Sequence, residues 1–63
     1  MEGKDIRQLR LSMNLSQAKF GKLVGVTGTS VYKWEFGRAK PHHVFADKIQ
    51  ELIDKNSMSK TAE

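Results

Sequence analysis

The stretch NLSQAKFGKLVGVTGTSVYKWEFGRAKP, residues 14–41, decides the fold of this chain because it carries one local pattern twice. Ser16 stands where a hydroxyl can accept from a helix-start amide that has no partner within its own helix. Leu15 before it and Phe20 at the fourth helical position form a hydrophobic staple. The spacing predicts a helix from Gln17 to about Val24, with Phe20, Gly21 and Val24 on one face and Lys19 and Lys22 elsewhere. Gly25 follows as a stop, since the left-handed backbone that ends many helices costs glycine no steric strain. Val26, Thr27 and Val31 then repeat the staple and cap, and open a helix from Gly28 to about Phe36 with Gly37 as its stop. On that helix Val31 and Trp34 face inward with Glu35 alongside, and Thr29, Tyr32, Lys33 and Phe36 fall on the opposite side.

Two short helices capped at both starts and joined by a glycine turn have little freedom in their mutual angle. This is a helix-turn-helix signal. Upstream, Ile6, Leu9 and Met13 recur at helical spacing, so a first helix is expected from about Lys4 or Asp5 to Met13, ended by Asn14 in the left-handed conformation. Downstream, Pro41 suits a helix start, and a fourth helix from about His43 to Lys55 turns Phe45, Ile49, Leu52 and Ile53 inward. Glu51 and Lys55 form a favourable i,i+4 pair on it. No stretch alternates apolar and polar long enough for a buried strand. The expected fold is all-α, a small four-helix domain over residues 1–55, with the aperiodic NSMSKTAE at 56–63 as a disordered tail.

With 63 residues the chain holds one domain, too small for a deep substrate cavity with a supporting shell. Hydrophobic residues at 38% and charged residues at 29% make a folding composition. There is no cysteine, so disulfides, thiolate metal sites and a cysteine nucleophile are all excluded. His42 and His43 are adjacent, and neighbours in sequence seldom converge on one metal; no metal site is expected. No phosphate-cradling glycine loop or catalytic acid pair is present, so neither an enzyme, a cofactor nor a small-molecule ligand is expected. No apolar run nears the roughly 18 residues of a membrane span, and the start MEGKDIRQLR lacks a signal-peptide core. A cytoplasmic protein is expected. Net charge is +4, unevenly distributed: residues 7–40 hold seven basic side chains against Glu35 alone, whereas the remainder holds four against six acids. A basic middle of this kind suits a localised polyanion-binding face.

The order of these features, with IRQLR at 6–10, Leu15-Ser16-Gln17, Gly25-Val26-Thr27, Val31, Trp34, Glu35-x-Gly37 and Pro41, resembles the phage-repressor and Cro family of helix-turn-helix domains, also called Xre-type. The resemblance implies a bacterial or viral transcriptional regulator, in the cytosol of its host, that binds double-stranded operator DNA, commonly as a homodimer. Gly21 departs from the small alanine usual at its position, and the short polar tail offers no clear counterpart to the fifth helix that often aids dimerisation.

In that geometry the third helix enters the major groove, about 12 Å wide, and Gly28, Thr29, Tyr32 and Lys33 occupy the base-reading positions. Lys33 can donate to guanine N7 and O6, and Thr29 can hydrogen-bond a base or touch a thymine methyl. Gln17 matches the residue that clamps a phosphate at the start of the second helix, where free amides and the helix dipole favour an anion. Arg38 and Lys40 in the following loop are further phosphate contacts, with Ser30 and Lys22 as weaker ones. Arg10 and Glu35 match positions that the family joins as a structural ion pair. Phe36 stands outward where a polar residue is usual; a DNA sugar, the fourth helix and a protein partner are all open to it. The expected function is sequence-specific DNA binding as a transcriptional regulator, a repressor first. The alternative is a protein-interaction module on the same fold.

Overall fold

A computed structural model of the chain describes residues 2–61, with side chains through Lys55. Four helices follow in order, α1 (Gly3–Ser12), α2 (Gln17–Val24), α3 (Gly28–Glu35) and α4 (His43–Thr61), and no strand occurs among the described residues. The fold is all-α.

α1 starts slightly earlier than its apolar spacing suggested, because Asp5 caps it: the Glu2 backbone N–H donates to Asp5 Oδ2 at 3.2 Å. It ends with Asn14 at φ 58°, where the Leu15 N–H donates to the Arg10 carbonyl at 3.2 Å and the Asn14 N–H to the Leu11 carbonyl at 3.0 Å. This pair of bonds satisfies carbonyls that the helix itself leaves open. α2 and α3 begin as their sequences predict: Ser16 Oγ accepts from the Lys19 N–H at 3.1 Å, and Thr27 Oγ1 from the Ser30 N–H at 3.3 Å. Gly25 at φ 104° turns the chain between them.

Gly21 works differently. A Cβ built there would lie 2.7 Å from the Val26 carbonyl oxygen and 2.9 Å from Thr27 backbone atoms. The missing side chain thus lets the turn fold back on α2, and this close packing offsets the helix propensity that glycine forfeits. α3 closes one residue before the expected Phe36, which serves as the C-cap. Gly37 at φ 73° follows, and the Arg38 N–H reaches back to the Lys33 carbonyl at 2.8 Å, the same ending as α1.

At α4 three expectations need correction. Pro41 does not open the helix: the His42 carbonyl takes the first helical bond, from the Ala46 N–H at 2.9 Å, and this leaves Pro41 outside. The helix continues past Lys55 to Thr61, since 56–61 contains no Gly or Pro to break the backbone ladder once the apolar stripe has ended. The expected disordered tail at 56–63 falls on residues whose side chains, and at 62–63 the backbone too, lie outside the described residues. Finally, the expected Glu51–Lys55 pair is not formed, and Gln50 Nε2 instead donates to Asp54 Oδ1 at 3.1 Å. An exposed ion pair gains too little to fix two long side chains.

The core consists of Ile6 and Leu9 from α1, Phe20 and Val24 from α2, Val31 and Trp34 from α3, and Ile49 from α4. Met13, Leu15, Val26, Phe45, Leu52 and Ile53 close around it. Trp34 lies 6.1 Å from Phe45, ring centre to ring centre, and is 6% exposed, so it belongs to the core. The most extensive contact is between α2 and α3, and α1 and α4 brace that pair from behind. Among the described residues no helix is long and apolar enough to cross a membrane.

Candidate nucleic-acid interface

The apolar face of α3 is committed to the core through Val31 and Trp34, and this fixes which residues it turns outward. Thr29, Tyr32, Lys33 and Phe36 are all exposed and spaced i, i+3, i+4, i+7, a single stripe along the helix. Exposure of Tyr32 is 41% and of Phe36 62%, against 0% for Val31 on the same helix. Phe36 therefore does not pack beneath α4. Its ring lies on Tyr32 instead, with centroids 4.7 Å apart and planes inclined at 41°.

Gly28 does not share the stripe. A Cβ there would stand 3.0 Å from Ala18 Cα and N, so the residue is half-buried against the start of α2. Its lack of a side chain seats one helix on the other. Gly28, expected from the sequence at a base-reading position, thus opens α3 and is held apart from the exposed stripe.

Behind the stripe lies a polar junction that joins three helices. Arg10 Nε donates to Glu35 Oε2 at 2.6 Å, and Nη2 to Oε1 at 3.2 Å, a two-pronged pair between α1 and α3. The third prong, Nη1, donates to the Leu15 carbonyl in the α1–α2 turn at 2.9 Å. Gln17 Nε2, at the start of α2, adds a bond to Glu35 Oε1 at 3.2 Å. The Glu35 side chain is 2% exposed and that of Arg10 12%. Among the described residues no buried side-chain polar atom lacks a partner. The junction sets the orientation of α3 from its far end. It also gives Gln17 a protein partner where the sequence suggested only phosphate; a primary amide has two N–H groups, so one hydrogen remains beyond the bond to Glu35.

The other expected phosphate contacts divide. Lys22, Arg38 and Lys40 are exposed, and none has an ion-pair partner among the described residues. Ser30 is half-buried, with its hydroxyl 3.4 Å from Thr27 Oγ1, so it belongs first to the cap of α3. Since Glu35 is the only acid between residues 7 and 40 and is consumed by Arg10, the outer side of α2, α3 and the following loop carries cationic and neutral groups alone. No group of three or more side chains suited to a metal exists among the described residues.

One signal for these arrangements was available in sequence, and it was incomplete. The i,i+4 spacing of Tyr32 and Phe36 permitted ring contact. Nothing in the sequence placed Gln17 beside Glu35, or Arg10 beside the Leu15 carbonyl, because both need the crossing angles of the assembled helices.

The helix-turn-helix family model matches residues 6–59. A protein of Methanocaldococcus jannaschii, named provisionally as an HTH-type transcriptional regulatory protein, is 33% identical over 54 residues, which are 86% of this chain and 17% of the relative. An uncharacterized HTH-type transcriptional regulator of Sinorhizobium fredii is 40% identical over 52 residues, 82% of this chain and 34% of that protein. The chain thus spans about a sixth to a third of the curated relatives it matches. No solved structure matches it significantly. A match over nearly the whole chain, on a four-helix fold with two capped helices around Gly25, makes this a member of the helix-turn-helix family, of the repressor/Cro (Xre) type.

Proposed function

We propose that the chain is a sequence-specific double-stranded DNA-binding domain of a transcriptional regulator, a repressor, which lays α3 in the major groove of its operator. The observation that carries this reading is the outward stripe of α3, held at a set angle by the buried Arg10–Glu35 junction and bordered by exposed cations that have no ion-pair partner among the described residues. Thr29, Tyr32 and Lys33 read base edges, with Gly28 at the helix start allowing close approach of its backbone. Lys22, Arg38 and Lys40 bind phosphate, Gln17 adds its remaining amide hydrogen at the α2 N-terminus, and Ser30 lies at the edge of this set. The domain has no catalytic role, and its place of work is the cytoplasm.

One short reading helix covers too few base pairs to select a site in a genome. We therefore also propose that two copies bind half-sites about one helical turn apart, 10–10.5 bp. Selection from random duplex at low salt tests the reading, and an enriched motif with two-fold symmetry is expected. Lys33→Ala should relax preference at one position of each half-site by about 1–3 kcal/mol, whereas Arg38→Ala should weaken all sequences alike. Absence of any enriched motif would reject specific recognition, and absence of salt-sensitive binding would favour the protein-interaction module.

A further inference from the structure

We infer that Phe36 is a specificity-determining positioning residue, which acts through its ring contact with Tyr32. The inference rests on the DNA-reading role of α3 proposed above.

Phe36 is 62% exposed, and its ring contact is with Tyr32, at 4.7 Å. So large an apolar side chain left in water does little for the core, and its contact lies on the outward stripe. Its backbone is pinned. The Phe36 N–H donates to the Tyr32 carbonyl at 3.1 Å, Gly37 at φ 73° reverses the chain, and the Arg38 N–H closes onto Lys33. Helical side chains lean toward the N-terminus, so a residue four places on covers the one before it. Phe36 accordingly leans over Tyr32, toward the end of α3 that bears Thr29.

Tyr32 has the opposite character. It is 41% exposed, and its hydroxyl has no hydrogen-bond partner among the described residues. A lone tyrosine on a helix surface samples two χ1 wells. A ring anchored one turn later favours the well in which the two rings touch. The hydroxyl is then presented in one position before DNA arrives, and the ordering cost is not met on binding. Phe36 thereby supplies preorganisation to a residue whose own contact selects the base.

The experiment is selection from random duplex with the unaltered chain, Phe36→Ala, Phe36→Tyr, Tyr32→Ala and the Tyr32→Ala/Phe36→Ala double variant, each checked for fold by circular dichroism. Expected is a loss of preference in Phe36→Ala of roughly two- to tenfold, confined to the base pair that Tyr32→Ala also blurs. The double variant should lose no more than Tyr32→Ala, and Phe36→Tyr, which keeps a ring, should retain the motif. If Phe36→Ala does not fold, Phe36→Leu, which keeps apolar bulk without a ring, carries the same expectation. An unchanged motif in Phe36→Ala, or a loss spread evenly over all sequences, overturns the inference and leaves the DNA reading intact. No motif from the unaltered chain overturns both.

Discussion

Replacing Arg10 by methionine should cost this domain most of its stability, and replacing Glu35 by leucine in the same chain should restore much of it. The guanidinium makes three bonds, two to Glu35 and one to the Leu15 carbonyl. Without it the Glu35 carboxylate, 2% exposed, keeps only the Gln17 amide at 3.2 Å. A buried charge stripped of its partner costs about 3–5 kcal/mol. At ~0.05–0.15 kcal/mol per residue, 63 residues hold about 3–9 kcal/mol in total. Arg10→Met should therefore unfold partly or wholly in plain buffer. In Arg10→Met/Glu35→Leu no charge stays buried. What remains is the lost pairing of the Leu15 carbonyl and the Gln17 amide, both on half-buried residues, at about 1–2 kcal/mol.

Urea titrations of the four proteins of this cycle, run with sulfate or an osmolyte to bring the weak variant into range, would measure the difference. Trp34 is the only tryptophan and is buried against Phe45, so its fluorescence reports the core directly. Circular dichroism gives the helices. The reasoning fails if Arg10→Met loses less than about 1 kcal/mol, or if the double variant loses the sum of its parents.

Gly21→Ala should destabilise by about 1–3 kcal/mol, although alanine is the better helix former, because the new methyl meets turn carbonyls at 2.7–2.9 Å. A rise in urea midpoint would reverse the assignment of that glycine. Gly37→Ala should also destabilise, by about 1–2 kcal/mol, for another reason: nothing lies within 4 Å of the added Cβ, and the cost is purely that of φ 73°. Gly37→Asn should recover part of it in the same titration. On DNA, the three phosphate contacts per copy proposed for Lys22, Arg38 and Lys40 should give each bound copy a slope of about −2.7 in log affinity against log salt, or roughly 40-fold between 50 and 200 mM. Fluorescence anisotropy over that range measures it, and the slope should shrink by about 0.9 in Arg38→Ala.

Caps, staples and turns were legible because they are local. Ser16, Thr27, Asn14, Gly25 and Gly37 act within four or five residues of themselves, and sequence spacing contains all the geometry they need. The core was legible for a related reason, since helical periodicity already states which side of each helix is apolar. The far end of α4 was not, because a helix can outlast the apolar stripe that docks it.

The sequence by itself determined four helices, the N-caps of α2 and α3, a basic middle and the outward set Thr29, Tyr32, Lys33 and Phe36. It also placed Arg10 and Glu35 at positions that resemble a paired site. Tertiary structure alone decided that Gln17 bonds Glu35, that Arg10 holds the Leu15 carbonyl, and that Gly28 seats against Ala18 instead of joining the stripe. Tyr32 and Phe36 lie between these cases: spacing allowed the contact, and the anchored end of α3 made it. The reason is range. Periodicity fixes directions around one helix axis, whereas contacts between helices depend on how closely and at what angle the axes cross, which here glycines and a buried ion pair set.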